Sequence, residues 1–392
     1  MSALDINAIV EAFDAVIPED KRPAALHEPF FSGNEWVYVK ECLDSTWVSY
    51  VGKYVDMFEK MLSEFTGVRL SIAVVNGTAA LHMCMKLMGV KHGDEVLVPT
   101  LTFVATANAV SYCGAIPHFI DSEERTLGVD PEKLHSYLRK NAKIRKDGCY
   151  NHLTGRRIKA VVPVHVFGHP VDMEHLVDVC HEFRIALIED AAESIGSYYK
   201  NRHTGHWGDI AALSFNGNKT ITTGGGGAIL TNNDEIGRQA RHLTTTARIQ
   251  HRWIIEHDVI GYNYRLPGLN AALGCAQMEQ LPTFLERKRS LAKKYKRAFE
   301  GIEGVTFFTE PRFAKTNYWL NALLLDEKYS VYRDALLEAT NNQGIMTRPA
   351  WELMHRLPMY HDCPCMDVSV SERLARRIIN IPSSVSLGES YV

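Results

Sequence analysis

No apolar stretch in the 392 residues approaches the ~20 needed to span a bilayer, so a membrane partner is not expected. Neither sign of charge dominates: Lys and Arg number 43 against 46 Asp and Glu, a formal net charge of −3. Without a basic excess nucleic acid is not expected as a partner, and no long like-charge run reads as an interaction tail. Internal repeats and low-complexity segments are absent, which argues against solenoids and disordered arrays. Met1 to Ile17 is acidic and amphipathic and lacks the basic and apolar regions of a secretory signal. The eight cysteines are scattered, mostly in apolar contexts such as Leu81-His82-Met83-Cys84-Met85, and read as reduced thiols of a cytoplasmic protein. Cys363-Pro364-Cys365 has the wrong spacing for a zinc knuckle, and no metal is expected.

What is present is globular in kind: 46% hydrophobic and 23% charged residues, in a chain long enough for two or three domains. Short β-branched runs recur at Leu70–Val75, Glu95–Val98, Ile116–Ile120, Ala160–Val164, Ile185–Ile188 and Ile210–Phe215. Helical periods fall between several of them, as in Thr78–Met88 and Asp172–Phe183. This alternation predicts an α/β fold, a doubly wound and mostly parallel sheet covered on both faces. After Gly268 the texture changes. Leu269–Arg297 reads as a long connecting helix, kinked at Pro282. Strands at Val305–Phe308 and Trp319–Leu325 and a helix at Val331–Gln343, ended by Gly344, follow. The expected division is a lead-in helix at 1–25, a large domain at 26–280 and a smaller α+β domain at 281–392.

Ligands of such sheets bind beyond the carboxyl ends of the strands. There the first run is followed by Asn76-Gly77-Thr78-Ala79-Ala80, a glycine turn into a helix start. Its free amides suit a phosphate, although an ordinary βα turn looks the same. Phe103 follows the second run and is either a platform for a planar ligand or core. Glu189 and Asp190 end an apolar strand, where an acid pairs with a protonated ring nitrogen, binds a metal or caps a helix. Ser214 and Lys219 follow the last run, with Lys219 set among Gly, Asn and Thr. Desolvation there would free its amine as a nucleophile. The spacing of a nucleotide-binding P-loop is absent. Together these make one kit in chain order: phosphate cup, aromatic platform, acid, serine and lysine. That kit suits pyridoxal 5′-phosphate.

The segments carrying the kit resemble the sugar aminotransferases of the DegT/DnrJ/EryC1/StrS family, within the fold-type I, aspartate aminotransferase-like enzymes. Matching stretches include Trp47-Val48-Ser49, Asn76 to Leu81, Pro99 to Thr106, Pro163 to Gly168, Glu189 to Glu193, Ser214-Phe215 with Lys219, and Gly261-Tyr262-Asn263-Tyr264-Arg265. The resemblance implies that Lys219 bonds to the cofactor aldehyde and shuttles protons, that Asp190 pairs with the pyridinium nitrogen, and that Phe103 stacks on the ring. It implies phosphate contacts from Gly77, Thr78, Ala79 and Ser214, and a place for Glu193 near the ring hydroxyl. Asn263 would reach the phosphate of the neighbouring subunit, making a homodimer with shared sites, and Arg265 and His355 would touch substrate. Two departures stand out: position 225 is Gly where the family carries an acid, and position 193 is Glu where Gln or His is common.

The implied reaction is transfer of an amino group from glutamate to the C4 ketone of a nucleotide-linked sugar. Ser214–Thr223 and Leu101–Asn108 look most like the branch acting on UDP-4-keto-6-deoxy-N-acetylhexosamines, which supplies bacillosamine and legionaminic acid pathways. Perosamine synthases, acting on a GDP-sugar, are close neighbours. A dehydratase of the same family would carry His in place of Lys219. A non-catalytic cofactor-binding regulator is the reading from another class, but the residues before Leu26 are too few for a helix-turn-helix module.

Overall fold

The computed structural model describes residues 3–388. Seven strands form the backbone of the large sheet: β1 (Leu70–Val74), β2 (Glu95–Pro99), β3 (Ile116–Ile120), β4 (Arg157–Val161), β5 (Ala186–Asp190), β6 (Ile210–Ser214) and β7 (Gly227–Thr231). They lie in the order β1-β7-β6-β5-β4-β2-β3, and a hairpin of Ala142–Arg145 with Gly148–Asn151 joins at β4 to complete nine strands. From β6 to β3 every pairing in that order is parallel, whereas β7 runs antiparallel to both β1 and β6. β2, β6 and β7 are buried along their whole length. That is why β2 and β6 read as largely apolar runs rather than alternating ones.

The expected strands occur with shifted ends. The run Ala160–Val164 is met by the strand Arg157–Val161, beyond which residues 162–164 keep contact with both neighbouring strands through the Val162 amide on the Leu97 carbonyl and a bridge of Val164 with Asp190. β5 extends through Asp190, so its last residue is itself the acid at that edge. β7 and the attached hairpin were not foreseen: a run of glycines hides the start of β7, and the hairpin is charged and exposed along its outer strand.

A smaller antiparallel sheet takes the order Val305–Phe307, Asn321–Leu325, Ile378–Ile381 and Arg348–Pro349. One helix, Gly268–Ala298, runs from the large part into the small one, across residue 280 and with Pro282 inside it. Ala271, Cys275 and Leu281 pack in one core and Leu291 and Tyr295 in another, the second shared with Phe13 of the helix Ile6–Asp14. The predicted helix Val331–Gln343 divides into a 3-10 segment, Glu327–Tyr332, and a helix, Arg333–Asn342, with Gly344 at φ 74° beyond its end. No helix among the described residues is long and apolar enough to cross a membrane.

Candidate active site

The carboxyl ends of β1, β2, β5 and β6 converge on a cavity of about 300 Å³. Gly77, Thr78, Phe103, Asp190, Glu193, Ser214 and Lys219 line it. These seven come from four separate stretches of chain, and the sheet order brings them together, since β5 and β6 are neighbours and β1 follows across β7.

At the phosphate end, Asn76 caps the helix Gly77–Leu87, its Oδ1 accepting from the Ala79 amide at 2.8 Å. The amides of Gly77 and Thr78 have no acceptor among the described residues. A helix start with two free donors holds an anion. A Cβ on Gly77 would lie 2.8 Å from the Ser214 Cβ, so only glycine lets the Ser214 hydroxyl approach this turn. Ala79 does not offer the expected phosphate contact: its amide is already taken by Asn76 Oδ1, and the residue does not line the cavity.

Asp190 is buried at the end of β5. Its Oδ2 accepts from Thr106 Oγ1 at 2.7 Å and its Oδ1 from the Ala192 amide at 3.2 Å. Burial raises its pKa above the usual carboxylate value, against those hydrogen bonds and the charge of Lys219. A buried acid with two fixed donors and a spare lone pair suits a protonated ring nitrogen, whose charge would offset the desolvation. Phe103 is 53% exposed, as a platform awaiting a planar group would be. The Lys219 Nζ lies 3.3 Å from Glu193 Oε1. Glu193 Oε2 accepts from the Phe167 amide at 2.9 Å, and burial raises the Glu193 pKa while the Lys219 charge opposes the shift. The residues present therefore fit a phosphorylated pyridine aldehyde at each of its functional groups.

Three expected residues lie elsewhere. Arg265 Nη2 donates to Glu59 Oε1 at 2.8 Å, and Glu59 also receives Arg241 and the Ala73 amide. That buried acid draws Arg265 to the β1 side of the sheet and away from the Lys219 cavity. His355 Nδ1 is 2.7 Å from Thr100 Oγ1 and its Nε2 faces Glu372, so it does not line the cavity either. Asn263 is exposed and lies outside its own chain's cavity, next to Tyr264, whose carbonyl accepts from the Val75 amide. The sequence reasoning missed Thr106, Trp319 and Trp351, all of which line the cavity. Thr106 ends the stretch Pro99 to Thr106, whose sequence carries no sign of its reach to Asp190. The two tryptophans arrive from the small part of the chain, and no spacing signals them.

A second basin, about 1090 Å³, shares no lining residue with the first. Arg238, Arg241, Arg248, Arg252 and Arg265 line it with Tyr50. Arg265 Nη1 is buried there without an acceptor.

The sequence profile of the DegT/DnrJ/EryC1/StrS aminotransferase family matches residues 32–392. GDP-perosamine synthase of Escherichia coli O157:H7 is 37% identical over 94% of this chain and 95% of its own. That of Vibrio cholerae is 36% identical over 94% of this chain and 95% of its own. Among solved structures, the aminotransferase TlmJ from Streptoalloteichus hindustanus superposes with a TM-score of 0.84 at 26% identity, over 93% of this chain and 95% of its own.

Proposed function

This chain belongs to the DegT/DnrJ/EryC1/StrS aminotransferase family, and we propose that it moves the amino group of glutamate to the C4 ketone of a nucleotide-linked 4-keto-6-deoxy sugar. It is a transaminase, and its cofactor is pyridoxal 5′-phosphate. The observation that carries the reading is the meeting of Lys219, Asp190 and the free amides of Gly77 and Thr78 in one cavity.

When bound, pyridoxal phosphate supplies an aldehyde that takes up amines and a ring that accepts electron density from the adjacent carbon. The remaining work falls to the chain. Gly77, Thr78 and Ser214 would hold the phosphate, and Phe103 would flank the ring. Asp190 would hold a proton at the ring nitrogen. Lys219 Nζ, freed as an amine, takes the proton from the α-carbon of glutamate and later delivers one to C4 of the sugar. Glu193 orients that amine from 3.3 Å.

A nucleotide-linked sugar carries a diphosphate, and the arginine-lined basin has the charge to meet it. Because the basin lies outside the Lys219 cavity of its own chain, the reading calls for a homodimer in which each copy completes the other's site. Asn263, exposed on the same side of the chain as Thr245 of the basin through their ladder pairing, is the proposed donor to the partner's cofactor phosphate.

Two nucleotides compete. The likeness of Ser214–Thr223 to enzymes acting on UDP-4-keto-6-deoxy-N-acetylhexosamines favours UDP. The relatives named GDP-perosamine synthase favour GDP. The test is an assay of the purified holoenzyme with glutamate and a panel of UDP-, GDP- and dTDP-4-keto-6-deoxy sugars. Turnover of the UDP-linked acetamido sugar supports the first reading, and turnover of the GDP-sugar alone supports the second. Cofactor absorbance that glutamate does not bleach would identify a non-catalytic binder instead.

A further inference from the structure

The Lys219 Nζ has two close neighbours, and only one of them is a carboxylate. Besides Glu193, the Lys219 Nζ has the Trp319 ring as a neighbour, 3.8 Å from its centroid. A cation this close to an indole face is attracted by the ring's quadrupole, most strongly where water is excluded. Trp319 is 4% exposed and the lysine side chain 14% exposed, so the contact is largely dry.

The ring is pinned in that position. Its indole N–H donates to the carbonyl of Asn218 at 2.7 Å, the residue just before the lysine. Its backbone amide donates to Asn317 Oδ1 at 2.8 Å. Its carbonyl accepts from Lys288 Nζ at 3.2 Å, and the same Nζ donates to the Ser383 carbonyl at 2.6 Å. Lys288 lies fully buried in the long helix, and burial pushes its pKa down to about 7. A lysine kept in the core to hold two carbonyls is costly to desolvate. Here it fixes the strand entry that carries Trp319 onto the turn that carries Lys219.

We propose that Trp319 is a positioning residue of this transaminase, its indole face serving as the berth that holds the Lys219 terminal nitrogen while it is off the cofactor, most strongly as the ammonium it becomes on taking up the α-proton. The inference rests on the assignment of Lys219 as the catalytic lysine. In transamination that lysine must leave the cofactor and still remain within reach of the reacting carbon. A flexible side chain released into open space would lose that proximity. The berth between Glu193 and Trp319 keeps its terminal atom in one place.

The decisive test uses the cofactor-free protein, so it does not depend on turnover. Reductive methylation with ¹³C-formaldehyde labels lysine amines and leaves them cationic. The Lys219 resonance is identified by its loss in Lys219→Ala. Over an indole face it should lie upfield of the other lysine resonances, stay displaced in Trp319→Phe and return to the common envelope in Trp319→Leu. In the holoenzyme, Trp319→Leu should slow the glutamate half-reaction by about 3- to 30-fold, the range a lost cation–π contact allows. The KM for glutamate should change less than about twofold, and Trp319→Phe should restore most of the rate, since an aromatic face remains. A wild-type Lys219 resonance within the common envelope overturns the proposal, as does a Trp319→Leu variant that keeps the displacement or the full rate. Should Trp319→Leu not fold, the wild-type and Trp319→Phe spectra decide it alone. Failure of cofactor to bind would refute the assignment of Lys219 as the catalytic lysine without touching the apoprotein spectrum.

Discussion

Replacing Asp190 by Asn separates what this side chain does for the reaction from what it does for the fold. The carboxylate is buried at the end of β5, with Thr106 at 2.7 Å and the Ala192 amide at 3.2 Å as its donors. Asn has the same shape and can keep one of those bonds, so the cavity should survive. What it loses is the charge opposite the ring nitrogen. Hydrogen bonds to charged groups contribute about 1.5–3 kcal/mol and neutral ones about 1. Adding the lost charge pairing gives a deficit on the order of 3 kcal/mol in the transition state, hence about 100-fold in rate. Stopped-flow absorbance of the glutamate half-reaction reads this directly. Stability should move the other way. Burial raises the Asp190 pKa in the folded apoprotein, so the folded state binds the proton more tightly than the unfolded chain. The carboxylate therefore lowers stability as pH rises from the unfolded pKa through the folded one. Asp190→Asn should make the apoprotein at least as stable as wild type at pH 8, with the advantage shrinking on acidification. A half-reaction slowed less than about threefold, under 1 kcal/mol, would mean that Asp190 is only a turn residue. A destabilised apoprotein at pH 8 would refute the electrostatic argument.

Other perturbations reach the neighbouring groups. Thr106→Val removes the donor to Asp190 Oδ2 and should slow the same half-reaction about fivefold, the worth of one hydrogen bond, with little change in melting temperature. Gly77→Ala puts a methyl group 2.8 Å from the Ser214 Cβ and should weaken cofactor binding at least about fivefold by absorbance titration, since a forced shift costs ~1–3 kcal/mol. Gly225→Glu, which restores the family's acid, should fold normally, because an added Cβ there meets nothing within 4 Å. Glu59→Gln leaves the buried Arg265 without its counter-charge and should cost about 3 kcal/mol or more in a denaturant titration, whereas a neutral outcome would mean that Glu59 is not what holds Arg265 in place.

Much of the site was legible because this architecture binds ligands where strands end, so residue types at those ends carry meaning even without contacts. Asn76-Gly77-Thr78 reads as an anion cup, Asp190 closes an apolar strand, and Lys219 sits where a solvated lysine has no reason to be. What stayed hidden depends on side-chain reach across long separations. Asn76 spends its amide oxygen on the Ala79 N–H, a choice that a cup-shaped motif cannot reveal. Arg265 answers to Glu59, more than 200 residues earlier, and His355 answers to Thr100. Trp319 approaches Lys219 only because the long helix Gly268–Ala298 sets the small sheet beside the large one. β7 escaped notice because Gly224 to Gly227 mask the start of an otherwise plain apolar strand.

The central claim is that Lys219 carries the cofactor, and borohydride trapping followed by peptide mapping tests it most directly. Incubation with pyridoxal phosphate and reduction should place the pyridoxyl mass on the peptide containing Lys219, at one label per chain, with Lys219→Ala left unlabelled. Label on another lysine, above all the buried Lys288, or undiminished labelling of Lys219→Ala, would contradict the account.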